Sequence, residues 1–283
     1  MKILFIARHF SYFRNFDSAI ALLAERGHAI HLAADRDDAL GGRELVDRLA
    51  ARYPGVTVGL TPIRDVGRYT RVAKALRLGL DYLRYSGADY DTMPRLRQRA
   101  YDRTPAFVLA LARLPYRRFV TWLIGRVEQA VPRPRPVDEF MQIHRPGLLL
   151  VTPLIELGSP QLDYIRAARR QGIRSALCVW SWDHLSSKAL IRERPDDLIV
   201  WNEVQREEAL RFHGVPAGRV HVTGAQCFDR WFDRPPSRDR MSFCRRAGLP
   251  DDKPFILYVG SALFRGSPPE AAYVREWVQD VRH

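Results

Sequence analysis

The chain opens on a short uninterrupted apolar run, Lys2-Ile3-Leu4-Phe5-Ile6-Ala7, with the length and composition of a strand buried on both faces. A polar-aromatic loop is expected over residues 8–14. A helix follows from Asn15, in which Phe16, Ile20, Leu23 and Ala24 recur at helical spacing. Gly27 stands where helices commonly end, and residues 29–34 return to an apolar run closed by Asp35. Strand, helix and strand in this order predict a parallel β-α-β unit. Apolar runs at 56–60, 148–152, 175–180, 198–201 and 220–223 read as further strands, with helices over 160–171, 185–192 and 203–212. This alternation predicts an α/β fold built on a doubly wound, Rossmann-like parallel sheet.

Residues 64–144 break the alternation. They show no strand pattern, and helical periodicity predicts helices over 69–85 and 105–130. Charge singles out the same segment: residues 64–126 hold fourteen basic and five acidic side chains, about +9 of the whole-chain +13. Only Lys2, Lys74, Lys188 and Lys253 are lysines among the 45 basic residues, so the excess is arginine. Such composition can follow from codon bias, but codon bias does not concentrate charge in one segment. On the first predicted helix, Arg68, Arg71, Lys74, Arg77 and Arg84 oppose Val72, Ala75, Leu76, Leu80 and Leu83. A basic amphipathic helix of this kind can lie on an anionic membrane, or pack on its own domain with its arginines in water.

The polar stretch Arg234-Pro235-Pro236-Ser237 predicts a boundary. The organisation expected is a domain over 1–234 carrying the helical insertion, a linker with a helix over 235–253, and the start of a second domain over 254–283. That last segment predicts one strand (254–261) and one helix (269–281). Two elements are too few for an independent core, for which about 50 residues are needed, so the second domain is expected to be incomplete.

Composition then removes several classes. Hydrophobic residues at 46% and charged residues at 27% are those of a globular chain. Cys178, Cys227 and Cys244, odd in number and far apart, give neither a disulfide framework nor a C-x-x-C zinc site, and suit a reducing cytoplasm. The apolar stretch 104–131 is interrupted by Arg113, Arg117, Arg118 and Arg126 and cannot span a bilayer. A cytoplasmic protein, peripheral at the inner face of the membrane at most, is expected. No phosphate-binding G-x-x-x-x-G-K-[ST], G-x-S-x-G or H-E-x-x-H motif occurs, and Arg8-His9-Phe10-Ser11 stands where a dinucleotide fold carries G-x-G-x-x-G. No metal site and no specific nucleic-acid partner are expected.

Candidate chemistry gathers after the predicted strands, where α/β sheets bind ligands. Arg8, His9 and Asn15 follow the first strand, and Thr152 and Glu156 the fourth. Ser181, Trp182, Asp183, His184 and Lys188 follow the fifth, Asn202 and Glu203 the sixth, and Gly224, Gln226 and Asp229 the seventh. His9, Asp183 and His184 have basicities usable for proton transfer, and His9 and Asp183 are taken as the catalytic candidates. Each residue also has a plainer reading: solvated loop histidines, tryptophans packing an interface, Gly224 serving a turn, and Asp229 capping a helix.

The segment Trp180-Ser181-Trp182-Asp183-His184-Leu185-Ser186-Ser187-Lys188, with this element order and a basic helical insertion, resembles GT-B glycosyltransferases of the surface-polysaccharide type. Val222-Thr223-Gly224-Ala225-Gln226-Cys227-Phe228-Asp229 is similar to the V-T-G-x-x-x-x-D element that closes the first domain of CDP-glycerol glycerophosphotransferases and UDP-N-acetylglucosamine 2-epimerases. The run from Phe255 to Ser261 resembles the opening of the second domain. Residues Trp182 to Lys188 are also similar to the W-H-G-x-x-x-K segment of the glycerophosphotransferases, with Asp183 where those carry histidine. The resemblance implies an inverting, metal-independent transferase. It needs no cofactor and takes a nucleotide-sugar or nucleotide-polyol donor and a glycan or lipid-linked acceptor of the cell envelope. His9 or Asp183 would deprotonate the acceptor hydroxyl, Lys188 would neutralise phosphate, and Arg8, Asn15, Glu156, Trp182, His184, Gly224, Gln226 and Asp229 would bind substrate. With its donor side incomplete, the chain is expected to be inactive by itself. Two alternatives stay open: a nucleotide-sugar epimerase or hydrolase of the same fold, and a non-catalytic binder of anionic membrane or nucleic acid.

Overall fold

The computed structural model describes residues 1–37, 41–62, 68–260 and 270–282. They divide into two units, Met1–Asp233 and Arg234–His283. The first unit is built on seven strands: β1 (Lys2–His9), β2 (Ala29–Arg36), β3 (Val56–Leu60), β4 (Leu148–Thr152), β5 (Arg174–Cys178), β6 (Asp197–Val200) and β7 (Val220–Val222). All pair in parallel, in the order 3-2-1-4-5-6-7. The fold is thus an α/β Rossmann-like sheet, as the alternation predicts. Strand β1 shows why its sequence is uniformly apolar. Leu4 and Ile6 pack on one face with Leu149, Val151 and Leu177, while Ile3, Phe5 and Ala7 pack on the other with Ile30, Leu32 and Leu150.

The helices of this unit are α1 (Asp17–Glu25), α2 (Gly42–Arg52), α3 (Arg68–Tyr85), α4 (Pro94–Tyr101), α5 (Ala106–Ala112), α6 (Arg117–Ala130), α7 (Arg135–His144), α8 (Leu162–Arg170), α9 (His184–Ser187), α10 (Glu203–His213) and α11 (Asp229–Phe232). Gly27 ends α1 at φ 78°, the left-handed conformation a helix stop favours. Three sequence readings change. Residues 8–14 are not a polar loop: Phe10–Asn15 is a 3₁₀ turn whose Phe10, Ser11, Tyr12 and Phe13 are buried against the sheet. The helix expected over 105–130 is two helices, since Pro115 cannot continue the ladder and Tyr116 turns left-handed at φ 68°. The helix expected over 185–192 stops at Ser187. There Arg99 donates to the Ser187 carbonyl, Tyr85 to the Lys188 carbonyl, and the Ile191 amide to His213 Nδ1, so tertiary bonds replace the helical ones.

The arginine-rich insertion differs most from expectation. Arg77 of α3 is buried rather than solvated. Its Nε donates to Glu128 at 2.7 Å, one Nη to Asp163 at 2.7 Å, and the other to the Ser159 carbonyl at 3.2 Å. Arg166 binds the second oxygen of Glu128 at 2.7 Å and reaches Glu193 at 3.0 Å. One turn along α3, fully buried Asp81 pairs with Arg192 and accepts from the Gly158 amide at 2.9 Å. The supposed apolar side of α3 is also occupied: Leu76 and Leu83 pack with Ala112, Val120 and Ile124. Arg71 and Lys74 remain exposed, and of the apolar side only Val72 stays exposed, too little to lay on lipid.

The second unit holds α12 (Arg240–Ala247) and α13 (Glu270–Arg282). Asp239 caps α12 by accepting from the Ser242 amide at 2.8 Å, and Gly248 ends it at φ 68°. The expected strand is not formed over 254–260: no described strand pairs with it, and Ile256, Leu257 and Val259 are exposed. An apolar run becomes a strand only with a neighbour to ladder against. Arg64, Ser261 and Pro269, called in the insertion, the strand and the last helix, lie outside the described residues.

Candidate functional site

In this strand order the topology reverses between β1 and β4, and the crevice at their carboxyl ends is where such sheets bind ligands. Arg8, near the end of β1, reaches Glu156 in the loop after β4 at 2.6 Å. The Tyr12 hydroxyl, brought over by the 3₁₀ turn, donates to the same Glu156 oxygen at 3.4 Å. Burial and the Glu156 charge push the Tyr12 phenol up to about 12, so it is a protonated donor near neutrality. The loop that carries Glu156 is held by Gln161, whose side chain accepts from the Leu154 amide at 2.8 Å and donates to the Thr152 carbonyl at 3.2 Å.

Aromatic rings join the ends of β1 and β5. His9 lies against Tyr12 at a tilt of 55° (4.4 Å between centroids), Tyr12 meets Trp180 edge-on (4.8 Å), and Asn15 donates to the Trp180 carbonyl at 3.4 Å. His9 Nδ1 bonds the Ser11 hydroxyl at 2.5 Å. The loops bearing His9 and Asp183 therefore meet, and they meet through Trp180.

Asp183 is locked by its own loop. It accepts from Ser181 at 2.6 Å, from Ser187 at 2.7 Å and from Lys188 at 3.0 Å. Burial works against its charge, but these bonds outweigh it and hold the carboxyl at about 2. A carboxylate so stabilised is a weak base and a good anchor for Lys188.

His184 is placed differently from the substrate-binding role read from sequence. It is fully buried, accepts from the Trp180 amide at 3.4 Å and donates through Nε2 to the Pro153 carbonyl at 2.7 Å. Desolvation lowers its pKa to about 3, so it is a neutral strut between the loops after β4 and β5. Trp182 next to it is exposed, and Gln205 holds its carbonyl at 3.3 Å. Asn202 caps α10 through Gln205, which sequence reading left as a strand-end candidate.

The last group of candidates lies elsewhere. Gly224 turns at φ 88°, and Ser18 on α1 donates to Asp229 at 2.9 Å and to the Gln226 carbonyl at 3.5 Å. Asp229 lines a cavity of about 610 Å³ with Asp17, Ser18, Arg48, Arg52 and Arg230. The structure thus unites Arg8, Glu156 and Lys188 around one cavity of about 280 Å³, and sets Asp229 at another.

The smaller cavity also contains Arg99 and Arg103, which sequence reading passed over inside the charge of the insertion. The only signal available was their i, i+4 spacing, which puts both on one side of a helical turn. Among the described residues no group of histidine, cysteine and acidic side chains could hold a metal. No described helix is long and apolar enough to cross a membrane.

No protein-family model matches the chain, and no curated protein matches it. Among solved structures, it is similar to UGT73P12 of Glycyrrhiza uralensis complexed with glycyrrhetinic acid 3-O-monoglucuronide, with 14% identity and a TM-score of 0.29. The match covers 63% of this chain and 28% of that one.

Proposed function

We propose that the chain belongs to a GT-B-like transferase, with residues 1–234 as its acceptor side, which moves a sugar or polyol phosphate from a nucleotide-activated donor to a cell-envelope acceptor. The observation that carries this reading is the polar crevice at the switch point, where Arg8 is paired with Glu156 and Lys188 with Asp183, and His9 is joined to Glu156 through Tyr12. In a sugar transfer the acceptor hydroxyl attacks the anomeric carbon, its proton passes to His9, and the bond to the nucleotide diphosphate breaks with its electron pair leaving on phosphate. His9 takes the base role alone, because Asp183 is held at about 2. Lys188, fixed by Asp183, offers positive charge to phosphate. Nucleotide release from UDP-, CDP- and GDP-activated donors by the protein expressed from its whole reading frame, measured with and without a membrane extract as acceptor source, tests the reading. Acceptor-dependent release that falls about 10²- to 10⁴-fold in His9→Ala is expected for a general base. Release without acceptor favours the epimerase or hydrolase alternative, and release indifferent to His9 removes the assignment.

A lipid-linked acceptor is favoured by the surface of α5 and α6. Leu111, Leu114, Tyr116, Phe119, Trp122 and Leu123 are exposed there, around an apolar groove of about 380 Å³. Exposed Arg113, Arg118 and Arg126 stand among them. Aromatic and leucine side chains interleaved with arginine suit an anionic bilayer interface, where each Arg adds about 1 kcal/mol. The membrane contact weighed for α3 against packing on its own domain is better supported by α5 and α6. Co-sedimentation with anionic vesicles at low salt is expected, and loss of it in Phe119→Ser/Trp122→Ser checks the contact. Equal binding by that variant would refute it.

A further inference from the structure

We propose that the cavity between β1, the loop after β5 and the insertion is a binding site for a phosphate-type oxyanion, with Arg99 and Arg103 as its principal ligands. Arg8, Arg99, Arg103 and Lys188 line it, against a single lining carboxylate, Glu156. Arg8 is neutralised by Glu156 and Lys188 by Asp183. Arg99 and Arg103 pair with no carboxylate among the described residues; Arg99 spends one nitrogen on the Ser187 carbonyl at 2.8 Å. The Nε of Arg99 is buried and has no hydrogen-bond partner, and so is Nε1 of Trp180, another lining residue. The site is therefore short of negative charge and of acceptor oxygens at once.

A phosphate group supplies both. It carries about −1.5 to −2 charge near neutrality with three acceptor oxygens, and guanidinium forks bind such oxygens in bidentate fashion. A carboxylate would offset only one of the two unpaired arginines, and the charge of the lining disfavours a metal cation. At about 280 Å³ the cavity admits a phosphate with a small attached group. The placement is built and not incidental: Arg99 and Tyr85 of the insertion bond the carbonyls of Ser187 and Lys188, the stretch that presents Lys188. The insertion thus completes a site that the sheet alone leaves half formed. On the transferase reading, the oxyanion belongs to a phosphorylated acceptor or to the donor diphosphate; the binding chemistry is shared by both and does not depend on turnover.

Binding is measured by titration calorimetry on the full chain at moderate salt, with inorganic phosphate, butyl phosphate and UDP as separate probes and no transfer partner present. Butyl phosphate reports an acceptor-type phosphate, and UDP a donor-type diphosphate. Arg103→Gln, an exposed position where folding is not at stake, is expected to weaken binding at least tenfold, and Arg99→Gln/Arg103→Gln to abolish it. Arg95→Gln, exposed on α4 one turn before Arg99 but outside the cavity, is expected to bind as the parent does. Binding in at least one arm that depends on Arg103 and not on Arg95 supports the site. No binding in any arm, or equal losses in the Arg95 and Arg103 variants, overturns it. Binding is read here without turnover, so the oxyanion site stands or falls separately from the transferase reading, which nucleotide release decides.

Discussion

Replacing Arg77 by methionine tests the claim that buried charge pins the insertion to the sheet. Arg77 has a side chain only 5% exposed, and the substitution deletes its bonds to Glu128, Asp163 and the Ser159 carbonyl. Glu128 keeps Arg166 at 2.7 Å, but Asp163 keeps only a distant Arg166 at 4.0 Å. One buried carboxylate is thus left nearly uncompensated. Removing one partner of a buried pair costs about 3–5 kcal/mol, and the surviving Arg166 contacts place the loss near about 3 kcal/mol. At 2–4 °C per kcal/mol for a unit of this size, the melting temperature should fall by about 6–12 °C.

Adding Glu128→Leu to Arg77→Met leaves Arg166 and Arg169 with Asp163 and Glu193, two charges of each sign. The double variant should regain at least about 1 kcal/mol over Arg77→Met, within the usual coupling range for contacting residues. pH supplies a second check. Burial alone would raise Glu128, but the bonds and charges of Arg166 and Arg77 hold its carboxyl below the ordinary 4.5. A depressed carboxylate contributes stability that is full above pH 4.5 and is lost as pH falls through its folded value. That acid-side loss should shrink in Arg77→Met. Urea denaturation followed by tryptophan fluorescence, at pH 7 and pH 4, measures both effects. A loss under about 1 kcal/mol for the single variant, or a double variant no better than the single, would refute the reasoning.

Other outcomes follow from the same geometry. His184 and His213 are buried and lowered to about 3, so the unfolded chain binds more protons between pH 6.5 and 3 and stability is lost as pH is lowered through that window. Each histidine should remove about 2 kcal/mol between pH 6.5 and pH 5, and His213→Asn should flatten the slope measured by urea titration. Gly42→Ala should destabilise by about 1–3 kcal/mol, although alanine favours helix, because a Cβ there would overlap the backbone of Phe10 and Ser11; a rise in urea midpoint would contradict this packing. With Asp183 already ionised at about 2, Asp183→Asn should lower transfer through a looser Lys188 while leaving the shape of the pH–rate profile near neutrality unchanged; disappearance of the limb that reports the base in that variant would show Asp183 to be the base.

The sheet was legible because β1, β4 and β5 carry apolar runs buried on both faces, a pattern set by local sequence alone. Helix α2 was missed: its Val46 and Leu49 are the only apolar side chains it buries, too few to stand out as a periodic stripe. The site was half legible. Arg8, Glu156 and Lys188 follow strands directly, so topology brings them together. Arg99 arrives from a helix 57 positions before Glu156, and no local pattern reveals that α4 folds back over the β5 loop. His184 misled for a related reason. In sequence, a histidine beside an aspartate after a strand reads as an open ligand. Only the Pro153 carbonyl and the Trp180 amide, one of them distant in sequence, show it to be internal support.

The charge of the insertion misled in a way that carries an argument of its own. Arginines that look alike in a count meet three environments. Arg77 is buried among carboxylates, Arg99 and Arg103 face a cavity without any of their own, and Arg118 and Arg126 stand in water beside exposed aromatic rings. The first environment bears on the second. Apolar contacts between α3 and its neighbours are non-directional and would allow the insertion to slide or rotate over the sheet. Arg77 and Asp81, one turn apart on α3, are each matched by charge on a different element, α8 for Arg77 and the strand-flanking Arg192 for Asp81. Two directional pairs on one helix fix its rotation and its position along the axis together. With α3 so held, Tyr85 at its end and Arg99 on α4 reach the carbonyls beside Lys188, and the unpaired guanidinium groups come to face the switch-point crevice. Buried ion pairs add little net stability compared with apolar packing, so their use here is best understood as alignment: they set where the free arginines point.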